Sequence, residues 1–254
     1  LKACDTLKKY NPGMSYGRLE WLGTIRPDRT KEQEEAKPGE LGKIAIRVLM
    51  KILYGARMAR FDLLKVTTSL AQRITKWIED CDKELHRLMC YIACTNDVHM
   101  TGYVGNSFKE MSLDLYGDAD FAGCKETHRS TTGVFQCLHG SYTRFPLVGV
   151  AKRQNCVSHS TPEAEIVAFA YGMRMEGLPS LDLWKQILGY DLPLRFHEDN
   201  TATIRIVETG RSNNLRHLQR THRVNFSWFT ECKKRGLFTI QYCDTKSQAA
   251  DIFT

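Results

Sequence analysis

The hydrophobic period changes once along this chain, and that change limits the folds open to it. Between Leu41 and Leu53 the apolar positions Leu41, Ile44, Ala45, Val48, Leu49, Ile52 and Leu53 recur at helical spacing, with Lys43, Arg47 and Lys51 opposite. Two more helices are expected near residues 60–75 and 79–95. Leu63, Leu64, Val66, Leu70 and Ile74 pattern the first, and Leu85, Leu88, Met89 and Ile92 the second. Beyond residue 97 the pattern becomes strand-like. Met111–Tyr116, Gly133–Leu138 and Phe145–Ala151 are short apolar or alternating runs bounded by turn residues. A helix should then start at Thr161, which can cap it, with Pro162 in the first turn and Glu163 and Glu165 at its positive end. It reaches about Gly177, and a second piece covers Leu178–Leu188. Leu192–Glu198 reads as a strand, Thr201–Glu208 as a short helix and Thr221–Arg235 as a longer one. Leu237–Cys243 is a strand, and a last helix begins near Ser247. Three strands followed by alternating helices and strands predict an α/β fold, a mixed sheet with flanking helices. Residues 41–96 read as a small helical unit ahead of it. Residues 1–40, charged and broken at Arg26-Pro27-Asp28 and Lys37-Pro38-Gly39, read as an irregular lead-in.

Composition narrows the class further. With 254 residues, 42% of them hydrophobic, the chain can bury a real core, which excludes a disordered segment. A net charge of +7 favours an anionic partner, nucleic acid above all, although a protein can also simply be basic. The nine cysteines form no paired framework, and no second pair at ligand spacing joins Cys90 and Cys94 in a zinc site. They are expected as reduced thiols of a cytoplasmic or nuclear protein. The start at Leu1, with no signal peptide, is expected to mark a fragment. The most apolar run, Leu41–Ala56, is interrupted by Lys43, Arg47 and Lys51, so no membrane span is expected.

Four carboxylates lie at element ends in this reading. Asp118 follows the first strand, Asp199 ends the strand Leu194–Glu198, Glu165 lies in the first turn of the Thr161 helix, and Asp251 lies early in the final helix. Each has a plain explanation alone: Asp118 and Asp120 as turn formers, Glu163 and Glu165 as helix-start charges, Asp199 as an N-cap, Asp251 as a solvated residue. Together they outline a carboxylate cage. Clustered carboxylates need a cation to ionise side by side, and Mg²⁺ is the hard ion such oxygen ligands suit.

At these residues the sequence resembles the ribonuclease H domain of copia-type long-terminal-repeat retrotransposons, preceded by the tail of their reverse transcriptase. The resemblance covers roughly residues 41–254. It is carried by Tyr116-Gly117-Asp118-Ala119-Asp120-Phe121-Ala122-Gly123, Arg129-Ser130-Thr131-Thr132-Gly133 and Ala151-Lys152-Arg153-Gln154. Ser160-Thr161-Pro162-Glu163-Ala164-Glu165, Glu198-Asp199-Asn200, Arg220-Thr221-His222 and Ala249-Ala250-Asp251-Ile252-Phe253-Thr254 complete it in the same order. Upstream, Leu53-Tyr54-Gly55-Ala56-Arg57-Met58-Ala59-Arg60-Phe61-Asp62 resembles the family's segment connecting polymerase and nuclease.

The resemblance implies a ribonuclease H-like mixed five-stranded sheet with flanking helices over residues 97–254, after a helical remnant of the polymerase thumb and connection. It implies Asp118, Glu165, Asp199 and Asp251 as ligands of two Mg²⁺ ions, with Mn²⁺ as a substitute. Glu165 rather than Glu163 fits the family's frame, through Glu165-Ile166-Val167-Ala168, and Asp118 rather than Asp120 fits the first position. The implied reaction is hydrolysis of the RNA strand of an RNA–DNA hybrid. Lys152, Arg153, Arg216 and Arg220 become candidates for contacts to the nucleic-acid backbone, or else solvated cations. His222 is a candidate proton shuttle or a packing residue. The implied partners are the hybrid and the rest of a polyprotein with polymerase and integrase, found in cytoplasmic particles or the nucleus. No Tyr-x-Asp-Asp polymerase signature occurs in the chain. Because only three residues follow Asp251, the same motifs also suit a relic that folds and binds nucleic acid without cutting it.

Overall fold

The computed structural model describes residues 37–124, 127–212 and 214–254. Within them two compact units form, one from residues 37–48 and 69–94, the other from residues 49–68 and 95–254. The expected lead-in lies almost wholly outside the described residues.

Helices α1 (Gly42–Ala59), α2 (Leu64–Ala71) and α3 (Glu79–Cys94) occupy the expected helical stretch, with 3₁₀ turns at Phe61–Leu63 and Ile74–Lys76 flanking the shortened second helix. In the first unit Asp82 of α3 gathers the chain ahead of α1. Its carboxylate accepts from the backbone N–H of Glu40 at 2.7 Å and of Leu41 at 3.2 Å, and from Trp77 Nε1 at 2.6 Å. Helix α1 has no acidic residue in its own first turn, so Asp82 supplies both the acceptor and the charge that a helix start favours. Arg73, nearly buried, is held by Glu84, with Nη1 donating to Oε1 at 2.9 Å.

The second unit is built on a mixed sheet. Its strands are β1 (Tyr103–Val104), β2 (Ser112–Asp120), β3 (Thr131–Gly140), β4 (Thr143–Arg153), β5 (Leu194–Glu198) and β6 (Thr239–Tyr242). Their order across the sheet is β1-β4-β3-β2-β5-β6. Neighbours from β1 to β2 are antiparallel, whereas β2–β5 and β5–β6 are parallel. The mixed α/β architecture is the expected one, but the strands number six rather than five. The added strand, β1, pairs only Tyr103 and Val104 with Arg144 and Thr143, too short a run to show a period in sequence.

Parallel neighbours require crossovers, and helices supply them. Helices α4 (Thr161–Gly172) and α5 (Leu178–Leu188) lead from β4 to β5, joined by a π-helical stretch at Met173–Gly177. Helices α6 (Thr201–Thr209), α7 (Leu218–Thr221) and α8 (Phe226–Lys234) lead from β5 to β6. The single helix expected over Thr221–Arg235 is therefore broken. Arg223 takes φ +57°, and Asn225 caps α8 by accepting from Ser227 N–H at 3.0 Å. The last expected helix is two 3₁₀ turns, Thr245–Ser247 and Ala249–Phe253.

The core lies between the sheet and α4, α6 and α8. Leu113, Leu115, Val134, Ile166, Phe169, Phe196, Val207 and Phe229 are buried there. Phe169 of α4 packs against Phe196 of β5 with ring centroids 4.4 Å apart, and against Phe229 of α8 at 4.9 Å. Gly117 leaves room for this cluster, because a Cβ there would stand 2.6 Å from Phe196 Cζ. No described helix is long and apolar enough to cross a membrane, and every cysteine among the described residues is a free thiol.

Candidate carboxylate metal centre

The ladder of β2 runs further than its apolar pattern. Pairing with β3 continues through Asp118 opposite Gly133 and Asp120 opposite Thr131, so Asp118 stands inside the strand rather than after it. The polar face simply alternates with Gly117 and Ala119, which hid the last turn of the pleat from a hydrophobic reading. On the other side β2 is parallel to β5, with Tyr116 opposite His197. Two residues on, Asp118 and Asp199 come side by side on strands about 4.8 Å apart.

Helix α4 brings the third carboxylate. Asp118, Glu165 and Asp199 each offer an oxygen within 4.8 Å of the others. Glu163, two residues earlier, points about 200° away around the helix. It accepts from His159 N–H at 2.9 Å and lies 3.1 Å from His217 Nε2, so it fastens the helix start. Ser160, not Thr161, precedes α4, and its side chain makes no capping bond; the Glu163 carboxylate instead reaches back to the chain ahead of the helix, at His159 N–H. Asp120 likewise turns to the backbone, accepting from Thr131 N–H, and a Cβ on Gly123 would collide with it at 1.9 Å.

Hydroxyl groups from the last ten residues hold two of the three carboxylates. Thr245 Oγ1 donates to Asp199 Oδ2 at 2.9 Å, and Thr254 Oγ1 donates to Asp118 Oδ2. Gln248 Nε2 donates to Gly117 O at 2.9 Å and ties the same segment to β2. Asp251 is exposed in its 3₁₀ turn and stands outside the three-carboxylate group. Its charge still acts on Asp118: burial first, and then repulsion from Asp251 and Asp199, raise the Asp118 carboxyl above its ordinary value.

Behind the trio sits an acid that the sequence reading missed. Glu198 is fully buried, its Oε1 accepts from Asn200 N–H at 3.3 Å, and its Oε2 has no hydrogen-bond partner. Burial, followed by repulsion from Glu165, pushes it well above the usual carboxylate range. Burial and then the charges of Asp118 and Asp199 push Glu165 up to about 9, and its Oε2 is likewise unpartnered. Strand alternation was the available signal: Leu194, Phe196 and Glu198 share the inward face of β5, where an acidic residue is out of place.

The other expected residues lie elsewhere. The side chain of His222 is buried, with Nε2 3.6 Å from Glu163 Oε1, against the helix anchor and not among the trio. Burial lowers its pKa first, and Glu163 opposes that. Lys152 is exposed with Nζ 4.6 Å over the Tyr171 ring, Arg153 is half-buried beside it, and Arg216 and Arg220 are exposed near α7.

No known family's model matches this chain. Among solved structures it is similar to an RNase H1 isolated from compost by a metagenomic approach, at 14% identity over 56% of this chain and 91% of that one, with a TM-score of 0.37. It is also similar to the native protease–reverse transcriptase of prototype foamy virus, at 14% identity over 59% of this chain and 20% of that one, with a TM-score of 0.32. A CSH mutant of the latter matches at 14% identity over 65% of this chain and 24% of its own, with a TM-score of 0.34. The chain thus spans a quarter or less of the viral proteins it matches.

Proposed function

We propose that the protein is a ribonuclease H-type phosphodiester hydrolase that cuts the RNA strand of an RNA–DNA hybrid. In this reading it is the nuclease part of a copia-type Pol polyprotein, with residues 41–96 as the tail of the polymerase. The observation that carries it is the convergence of Asp118, Glu165 and Asp199, from two parallel strands and a crossover helix, to within 4.8 Å.

The donors present fit a hard divalent cation. All three are carboxylates, Glu165 Oε2 is buried without a partner, and the repulsion that raises Glu165 and Asp118 is what a cation relieves. Asp118, Glu165 and Asp199 would hold Mg²⁺ or Mn²⁺, with Asp251 at the outer edge as the fourth ligand of a two-ion site. Bound there, such ions supply Lewis-acid polarisation of the phosphoryl group and an activated water.

The chain's own groups set the geometry. Thr254 and Thr245 orient Asp118 and Asp199, which removes rotamer freedom before substrate arrives. Burial and the nearby Glu165 charge raise the Glu198 carboxyl well above its ordinary range, which favours its neutral form behind Glu165. Lys152 and Arg153, at the same end of the sheet, neutralise phosphates without reading bases.

The test is cleavage of a labelled hybrid by the intact chain with Mg²⁺ and with EDTA, beside Asp199→Asn. Cleavage that needs the metal and is lost in the variant is expected. Absence of cleavage by the unaltered chain, or activity indifferent to the substitution, sinks the proposal.

A further inference from the structure

A groove of about 540 Å³ runs along the side of α4 away from Glu165. Val167, Ala170 and Tyr171 of α4 form one wall, and Arg174 follows in the π-helical stretch. Lys152–Asn155 at the end of β4 and Thr221–Val224 before α8 form the rest. The lining holds four permanent cations, Lys152, Arg153, Arg174 and Arg223, and no Asp or Glu among the described residues. None of the four makes a salt bridge with a described carboxylate. Of the acids nearby, Glu163 stands behind His222, and Glu176, whose carboxyl is raised by burial and opposed by the Arg57 charge, acts on Tyr171 without lining the groove.

Two features show what such a lining can hold. Arg223 adopts φ +57°, a backbone region that side-chain-bearing residues rarely occupy, and it lines the groove there. The Tyr171 ring is already covered by Lys152 Nζ at 4.6 Å, and the other ring of the lining, His222, is turned to Glu163, which leaves charge and not a stacking platform. A site of this kind neutralises a phosphate backbone and is indifferent to bases. Its position relative to the carboxylates follows from register. Lys152 and Arg153 pair through Thr132 and Thr131 with Ala119 and Asp120, one and two residues beyond Asp118, whose own row ends at Ala151, so they lie two strand spacings across, roughly 10 Å, and slightly further along the sheet.

We infer that this groove seats the phosphodiester backbone of the nucleic acid beside the carboxylate centre, with Arg174 and Arg223 as backbone-contacting residues in addition to Lys152 and Arg153. Resting on the nuclease reading, it assigns the hybrid a second point of attachment on the far side of α4. It also separates the cationic candidates: Lys152 and Arg153 line the groove, whereas Arg216 and Arg220 do not.

The experiment measures binding of the full chain to a fluorescein-labelled RNA–DNA hybrid, in EDTA so that no cutting occurs, across a salt series. The double variant Arg174→Gln/Arg223→Gln is compared with Lys185→Gln/Lys234→Gln, which makes the same charge change at exposed sites outside the groove. Each phosphate contact contributes about 0.9 to the slope of log affinity against log salt, so the groove variant should lower the slope by about 1.8 and weaken hybrids of different sequence by one common factor. An unchanged slope overturns the inference, as does an equal change in the control variant. Displacement of the hybrid by poly-L-glutamate of matched charge, as efficient as by unlabelled hybrid, would make the groove a seat for acidic protein and overturns it too. The binding readout is independent of cleavage. A slope change in a chain that never cuts would fail the nuclease reading and keep the groove, and cutting with an unchanged slope would do the reverse.

Discussion

Replacing Glu165 by Gln should stabilise the metal-free protein, although it destroys a proposed ligand. Glu165 is 4% exposed, and its folded-state carboxyl is pushed from the ordinary 4.5 up to about 9 by burial and by the charges of Asp118 and Asp199. A carboxyl raised on folding costs nothing below its unfolded value. The penalty then grows with pH until the folded value is passed. At about pH 7 it amounts to roughly 3 kcal/mol, from some 2.5 pH units at 1.36 kcal/mol each. Gln removes the penalty and sacrifices little, because Glu165 Oε2 accepts no hydrogen bond that the amide would lose. The expected result in EDTA is a urea-unfolding free energy for Glu165→Gln that matches the parent near pH 4.5 and exceeds it increasingly toward about pH 8. Mg²⁺ should then raise the parent's stability and leave the variant nearly unmoved. A gain that stays constant with pH, or a variant less stable than the parent throughout, would refute the repulsion argument and with it the case for a cation at this place.

Three further substitutions test how the frame of the site is held. Gly117→Ala puts a Cβ 2.6 Å from Phe196 Cζ in the packed core and should cost about 1–3 kcal/mol in urea unfolding. A fully tolerated Ala would mean the β2–β5 packing is looser than described. Asp114 accepts from Ser112 Oγ at 2.6 Å and stands 2.8 Å from His197 Nε2; although burial opposes it, these partners hold its carboxyl below the ordinary value. A carboxyl lowered on folding stabilises above its unfolded pKa and loses that contribution as pH falls through the folded pKa, so Asp114→Asn should cost stability near neutrality and much less in acid. A loss of equal size at both pH values would exclude the charge as its cause. Asp82→Ala removes the acceptor of Glu40 N–H, Leu41 N–H and Trp77 Nε1, and should cost about 1–3 kcal/mol while shifting tryptophan emission. Unchanged emission would show that Trp77 is placed without it.

What the sequence disclosed depended on how local the signal was. The helical run over residues 161–188 was readable from its apolar period, but the expected division at Gly177 is absent: Gly177 keeps helical angles and the π-helical stretch passes directly into α5. Helical spacing showed that Glu163 and Glu165 face opposite ways, and the preference for Glu165 came from the frame of the resemblance; the structure brings Glu165, not Glu163, beside Asp118 and Asp199. Strand limits were not readable, since the ends of β2 and β4 are fixed by their pairing with β3 rather than by an apolar pattern. The break at Arg223 was not either, because a helix that stops for a tertiary reason keeps its apolar pattern: Val224 is buried across the gap just as it would be within a helix. Thr245 and Thr254 carried no pattern at all, and their link to Asp199 and Asp118 exists only once the terminal segment crosses the sheet.

Helix α4 explains why one acid could be chosen from sequence while its neighbour's partners could not. Glu165 is drawn to residues supplied by strand ends, places that an alternation of elements defines. Glu163 is drawn to His159, His217 and His222, and two of those belong to the irregular stretch between α6 and α8, for which no period exists. The two carboxylates nevertheless serve one arrangement. Glu163 is almost fully buried and fixes where the helix begins, and the helix start fixes where Glu165 stands relative to Asp118 and Asp199. A shift of one residue at that anchor would rotate Glu165 by about 100° and take it out of the group altogether. The position of the candidate centre is therefore set as much by the acid outside it as by the three acids within.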